Sequence, residues 1–157
     1  MNAPMPSQLE RRTIEAEIMD RMRAELASEL GEDRALALLR RASQAAARDA
    51  GAAFARTAPG GPSLAHFQSI LERWREGNAL DIEDVRLTGG ELTFSITRCE
   101  YVAAYRALGL GPAMTDAVSC CRDYGFIEGY SPRLSLERKE TIAAGHPACR
   151  FRFVWKD

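Results

Sequence analysis

The stretch Leu80-Asp81-Ile82-Glu83-Asp84-Val85-Arg86-Leu87-Thr88-Gly89-Gly90-Glu91-Leu92-Thr93-Phe94-Ser95-Ile96-Thr97 decides the fold. Its second half alternates cleanly, with Leu92, Phe94 and Ile96 on one face and Thr93, Ser95 and Thr97 on the other, the period of a half-buried strand. Leu80, Ile82 and Val85 mark a first strand before it. Thr88-Gly89-Gly90 supplies residues suited to the positive φ of a tight hairpin turn. The chain therefore changes character after Gly77, from helical periodicity to an antiparallel hairpin.

Upstream, Leu9, Ile14, Ile18, Met22, Leu26 and Leu30 recur near a 3.6 period and predict an amphipathic helix over 8–30 with Gly31 as its stop. A second helix is expected over 32–55, rich in alanine and suited to close packing. Pro59-Gly60-Gly61-Pro62 is the clearest break. Ser63 then caps a third helix, to about residue 76, that buries Leu64, Phe67, Ile70, Leu71 and Trp74. Downstream, 99–108 reads as a short helix ended by Gly109, and Pro112 suits the first turn of a helix running to about 127. Two more strands are expected at 133–141 and 149–155, joined across Gly145-His146-Pro147. Grouped hairpins and helices predict an α+β fold: a four-stranded antiparallel sheet from two hairpins, packed against helices. The expected organisation is one domain, with 8–77 as an N-terminal helical layer and 78–157 as the sheet-helix part that carries the site.

Composition excludes several function classes. A chain of 157 residues with a net charge of -1 has no electrostatic reason to seek nucleic acid or an anionic membrane. No apolar run is long enough to span a bilayer. Residues 1–10 are polar and proline-containing, unlike a signal peptide. The expected location is the cytoplasm, where thiols stay reduced and a disulfide framework is disfavoured.

That matters because all four cysteines, Cys99, Cys120, Cys121 and Cys149, crowd the C-terminal part of the chain, with none among the first 98 residues. On a helix, Cys120 and Asp123 at i and i+3 are neighbours, whereas Cys121 points roughly 100° away, with Met114, Val118 and Gly125. Cys121 is expected to pack in the core, and Cys120 to act as nucleophile or ligand beside a carboxylate. Cys149 shares the parity of Phe151, Phe153 and Trp155, so it should face the helices. Cys99 sits where a strand gives way to a helix. Periodicity allows these three thiols to meet at the sheet-helix interface. A divalent metal held by Cys99, Cys120 and Cys149 is an alternative use, although an adjacent thiol pair is not the Cys-x2-Cys spacing that zinc favours. Arg98, Arg122, Tyr105 and Glu128 are the polar candidates around the thiols. A guanidinium, Arg98 or Arg122, is expected to lower the thiol pKa and hold a substrate carboxylate.

The motifs Thr97-Arg98-Cys99-x-Tyr101, Tyr105-Arg106-x-Leu108-Gly109, Ser119-Cys120-x-Arg122-Asp123, Glu128-Gly129-Tyr130-x-Pro132, Thr141-Ile142-x-x-Gly145 and Cys149-x-Phe151-Arg152 occur in that order. With Trp74-x-x-Gly77-Asn78-Ala79-Leu80 upstream, the set resembles the L-2-amino-thiazoline-4-carboxylic acid hydrolase family over roughly the second half of the chain. The resemblance implies a small cytosolic hydrolase that opens a 2-aminothiazoline carboxylate to a carbamoyl-cysteine. It aligns Cys99, Cys120 and Cys149 with the family pattern and leaves Cys121 at a variable place. Two departures, Ser131 where asparagine is usual and Arg138-Lys139-Glu140-Thr141 where Arg-Thr-Gln-Thr is common, point to a different heterocycle if those positions touch substrate. Cys-x-x-Asp with a distant Cys also looks like the constellation of organomercurial lyase. The competing readings are a thiol-lined module that binds a metal, metalloid or small ligand, and a scaffold that forms homo-oligomers through its N-terminal helices.

Overall fold

The computed structural model describes residues 5–156; the start of the polar segment, residues 1–4, lies outside the described residues. Helices α1 (Gln8–Leu30) and α2 (Glu32–Ala55) begin and end where periodicity and Gly31 place them. Ser7 caps α1 in a reciprocal box: its hydroxyl accepts from Glu10 N at 3.1 Å, and Glu10 accepts from Ser7 N at 2.8 Å. Gly31, at φ 85°, turns the chain into α2.

The expected apolar face of α1 is not its buried face. Only Ala16 is buried on this helix, while Ile14, Ile18 and Met22 stay more than half exposed. A small residue lets α1 lie close on its neighbours, and Met19 and Leu26 pack there instead. The third predicted helix is broken into α3 (Leu64–Gln68) and α4 (Ile70–Arg75). At the break the Ser69 hydroxyl donates to the His66 carbonyl at 2.6 Å, a local bond that competes with the helical ladder. Ser63 caps α3 as expected, accepting from His66 N at 3.1 Å.

Strands β1 (Leu80–Leu87), β2 (Glu91–Cys99), β3 (Leu134–Glu137) and β4 (Cys149–Trp155) form one antiparallel sheet in the order β1-β2-β4-β3. The two predicted hairpins are therefore joined edge to edge through β2 and β4. The first turn is made differently from the expectation. Gly89 and Gly90 are not among the positive-φ residues; Thr88 closes the reversal, its N–H donating to Glu91 O at 2.8 Å and its hydroxyl accepting from Glu91 N at 3.1 Å. Positive φ falls at Asp84 instead, where the β1–β2 register shifts between Glu83 and Arg86, the mark of a bulge. Strand β3 stops at Glu137 rather than 141, because Arg138 leaves the sheet for the interior.

The inner sheet face carries Leu92, Phe94, Ile96, Cys149, Phe151 and Phe153, all buried. It packs on Phe54, Phe67, Ile70 and Leu71, and on Ile127 and Tyr130 of α7 (Arg122–Tyr130). Each such large apolar side chain contributes about 1.5–3 kcal/mol on burial. A second cluster, Ala16, Leu39, Met114 and Val118, surrounds Tyr105 of α5 (Glu100–Ala107). Helices α2 and α7 touch through glycine: a Cβ on Gly125 would overlap the Gln44 carbonyl, and one on Gly129 the Arg48 carbonyl.

Candidate functional site

The cysteine pair is set by a change of helical pitch. Pro112 opens a short helix, α6 (Pro112–Thr115), and the expected single helix over 112–127 then widens into a π-helical turn, Asp116–Cys120. There the Cys121 N–H reaches back five residues to Asp116 O at 2.9 Å. Asp116 is anchored to α2 by an ion pair with Arg40. Such a turn inserts one residue into the ladder and recurs at functional sites. Here it brings Cys120 onto a cavity wall while Cys121 is fully buried, its thiol donating to Ala117 O at 3.2 Å. Cys121 packs in the core as expected, and Cys120 is half-buried on the cavity wall.

A cavity of about 250 Å³ is lined by Cys99, Cys120 and Cys149 together with Asp123. Three of the four thiols thus converge, as sheet parity and helix geometry allow. Cys99 ends β2, Cys149 opens β4 opposite Ile96, and Cys120 and Asp123 flank the junction of the π turn with α7. Phe54, Trp74, Phe126 and Phe151 supply apolar walls. Gln8 and Arg12 of α1, and Ala47, Ala50 and Phe54 of α2, complete the lining, so the helical layer and the sheet both contribute to the cavity.

The thiols rest protonated. Burial pushes Cys99 up to about 11 and raises Cys149. Cys120 is raised further, first by burial and then by the Asp123 charge, with Arg138 opposing. Asp123 is itself raised by burial, against the pull of Arg138 and, more weakly, Arg122. No guanidinium lowers these thiols below their ordinary value, contrary to the expectation for Arg98 and Arg122.

Arg138 is the site residue that sequence reasoning missed. Its side chain is only 4% exposed and forms an ion pair with Asp123. Nη2 also donates to Cys120 O at 2.8 Å, which ties the two ends of the Cys120–Asp123 segment together. The guanidinium lies 5.0 Å from the Phe151 ring centre and 5.4 Å from that of Tyr124, a favourable cation–π setting. Nε is buried without a partner. The signal in the sequence was the departure motif at 138–141, which marked the position without giving its direction.

The other polar candidates divide. Arg122 lines the cavity and donates to Ser43 O at 3.2 Å. Arg98 does not line it: it points to the sheet edge, paired with Asp81 at 2.7 Å and Glu100 at 2.5 Å. Glu128 is exposed and paired with Arg48 at 2.8 Å. Both are surface ion pairs of the ordinary kind. Tyr105 lies in the second core cluster at 1% exposure, its phenol pushed up to about 12 by burial. Its neighbour Ser119 is a lining residue, so Tyr105 supports the wall from behind.

Among the described residues, no group of three or more His, Cys, Asp or Glu side chains is arranged to hold a metal ion. The three thiols share the cavity without forming a ready ligand set, and no chemical step below is routed through a metal. All four cysteines are free. No helix among the described residues is long and apolar enough to cross a membrane.

Chemically, the arrangement offers a neutral thiol beside a carboxylate of raised basicity, with a guanidinium fixing that carboxylate, inside a largely apolar chamber. It is suited to proton transfer coupled to attack on a small electrophile. No curated protein matches the chain in sequence. Among solved structures, the chain is similar to the crystal structure of the phenol-responsive sensory domain of the transcription activator PoxR with phenol, at 17% identity and a TM-score of 0.57. That match covers 89% of this chain and 74% of the other, and at this identity it speaks to the fold alone. The family model of L-2-amino-thiazoline-4-carboxylic acid hydrolase matches residues 11–153, both helical layer and sheet, and the chain belongs to that family.

Proposed function

We propose that the protein is a hydrolase that opens a small carboxylated heterocycle, such as a 2-aminothiazoline-4-carboxylate, to a carbamoyl-cysteine. The observation that carries this reading is the meeting of Cys120, Asp123 and Arg138 on the wall of one cavity. Asp123, raised in basicity by burial yet held by Arg138, accepts the proton of the Cys120 thiol as Sγ bonds to ring carbon C2. The C2=N π pair moves to nitrogen. The tetrahedral adduct then collapses. If the C2–S bond breaks, the nitrogen pair re-forms C=N and the sulfur takes the proton from Asp123. If the ring C2–N bond breaks, the nitrogen takes that proton and a second one from the exocyclic amino group, whose lone pair becomes the new C=N. Water, deprotonated by Asp123, next attacks the carbon held on Cys120, and the thiol leaves protonated. The sum is one water added and one ring bond broken.

Proton transfer must accompany attack, because a free thiolate beside Asp123 is opposed by both burial and charge. Cys99, half-buried, and Cys149, buried, are neutral and line the same chamber; Ile142 N donates to Cys149 Sγ at 3.2 Å. Replacing Cys120 by Ser and by Ala, and Asp123 by Asn, tests the roles by mass-spectrometric turnover of the ring. Each change is expected to lower kcat/KM by roughly 10²–10⁴-fold. Near-normal turnover in both Cys120 variants would overturn the covalent route.

A second reading has its own support. The solved structure similar in fold is a sensory domain with phenol, and Phe54, Trp74, Tyr101, Phe126 and Phe151 give the present cavity aromatic faces on which a small ring could pack. On that reading the chamber binds a small ring without converting it. Saturable binding of the ring, with its mass unchanged after prolonged incubation, favours the sensor; addition of water favours the hydrolase.

A further inference from the structure

The charged groups lining the cavity are unbalanced. Arg12, Arg73, Arg122 and Arg138 face it, against a single carboxylate, Asp123, which Arg138 occupies. Arg73 lies 5.9 Å from the Phe54 ring centre. Arg12 is paired with Glu15 at 2.5 Å on its own helix. Arg122 has no acidic partner among the described residues; its one hydrogen bond goes to a backbone carbonyl, Ser43 O. Arg12 and Arg122 come from α1 and α7, elements far apart in sequence, yet both line this cavity; the Arg122 pKa is lowered first by burial and then by the Arg12 charge, with Glu15 opposing.

After Glu15 is counted, Arg12 and Arg122 leave one net positive charge over the cavity beside that of Arg73, a poor arrangement for an empty protein and a good one for a bound anion. We propose that Arg12 and Arg122 form a carboxylate clamp that seats the acid group of the ring substrate, with the reacting carbon left to Cys120 and Asp123. The assignment rests on the hydrolase reading for the identity of the ring, but the clamp itself would serve any ligand in which a small ring bears one carboxylate. It gives α1 a functional role: its first turns deliver Gln8 and Arg12 to the cavity. Arg138 is excluded from this duty, since its terminal nitrogens are committed to Asp123 and Cys120 O.

The test is calorimetric binding of two aromatic probes that share a ring, 2-aminothiazole-4-carboxylate and its uncharged carboxamide. The intact protein is expected to prefer the carboxylate by at least about tenfold, the scale of one charge-assisted hydrogen bond. Arg12→Gln and Arg122→Gln should each remove most of that preference by weakening carboxylate binding far more than carboxamide binding, and Arg12→Lys should retain part of it. Equal affinity of the intact protein for both probes, no binding of either, a preference that survives both substitutions, or an equal loss for both probes would each overturn the clamp. The comparison in the intact protein needs no variant to fold. Since neither probe presents a thiazoline to be opened, the result is independent of turnover: a clamp without hydrolysis removes only the enzyme, and hydrolysis without carboxylate preference removes only the clamp.

Discussion

At Cys120 two charges of opposite sign compete, and the nearer balance favours the thiol. Burial and the Asp123 carboxylate raise its pKa, and Arg138 recovers only part of the shift. A group whose folded pKa lies above its ordinary value keeps its native contribution below that ordinary value and loses it as pH rises through the folded one. Cys120 and Cys99, the latter pushed up to about 11, are therefore neutral across the physiological range. Alkylation of these thiols by iodoacetamide should be slow at neutral pH and climb without a plateau into the alkaline range, where stability also falls. A rate that levels off below neutral pH would reveal a thiolate and contradict the neutral resting state. The pairing of Cys120 with Asp123, and its separation from Cys121, were legible from helical spacing alone. Arg138 was not, because a long side chain at the end of a strand can turn either way, and only the buried carboxylate decides which.

The contact between α2 and α7 fixes how deep the π turn and Asp123 sit, and it depends on bare backbone. Adding a methyl at Gly129 sets Cβ against the Arg48 carbonyl, which cannot move without shifting α2. Gly129→Ala should cost roughly 1–3 kcal/mol by overpacking, read as a lowered denaturation midpoint, while an alanine at Gly89, which meets open space, should cost far less. Equal midpoints for the two variants would show that the close approach carries no weight. At this scale α1, α2 and β4 could be read to the residue, because caps and clean periodicity agree there. The π turn could not, since one inserted residue leaves no mark in composition. The buried side of α1 was misread because its apolar stripe is longer than the small-residue face, around Ala16, that actually packs.

The family pattern seen in the sequence lay in the second half, yet the cavity draws walls from α1, α2, the sheet and α7, and the family match runs from 11 to 153. Periodicity placed the sheet and its inner face correctly, including Cys149; which outer helix would bring Arg12 to Arg122 was a question of tertiary packing that local patterns do not encode. The functional reading rests on the whole chamber: thiol and carboxylate at one place, guanidiniums around them, aromatic walls between. Its most direct test is incubation of the protein in ¹⁸O-water with a panel of carboxylated thiazolines, hydantoins and related rings, followed by mass spectrometry. The account predicts one labelled water added to a carboxylated thiazoline or close relative, and loss of that product when Asp123 is replaced by Asn. Rings that bind to the cavity and are recovered unlabelled and intact would contradict it.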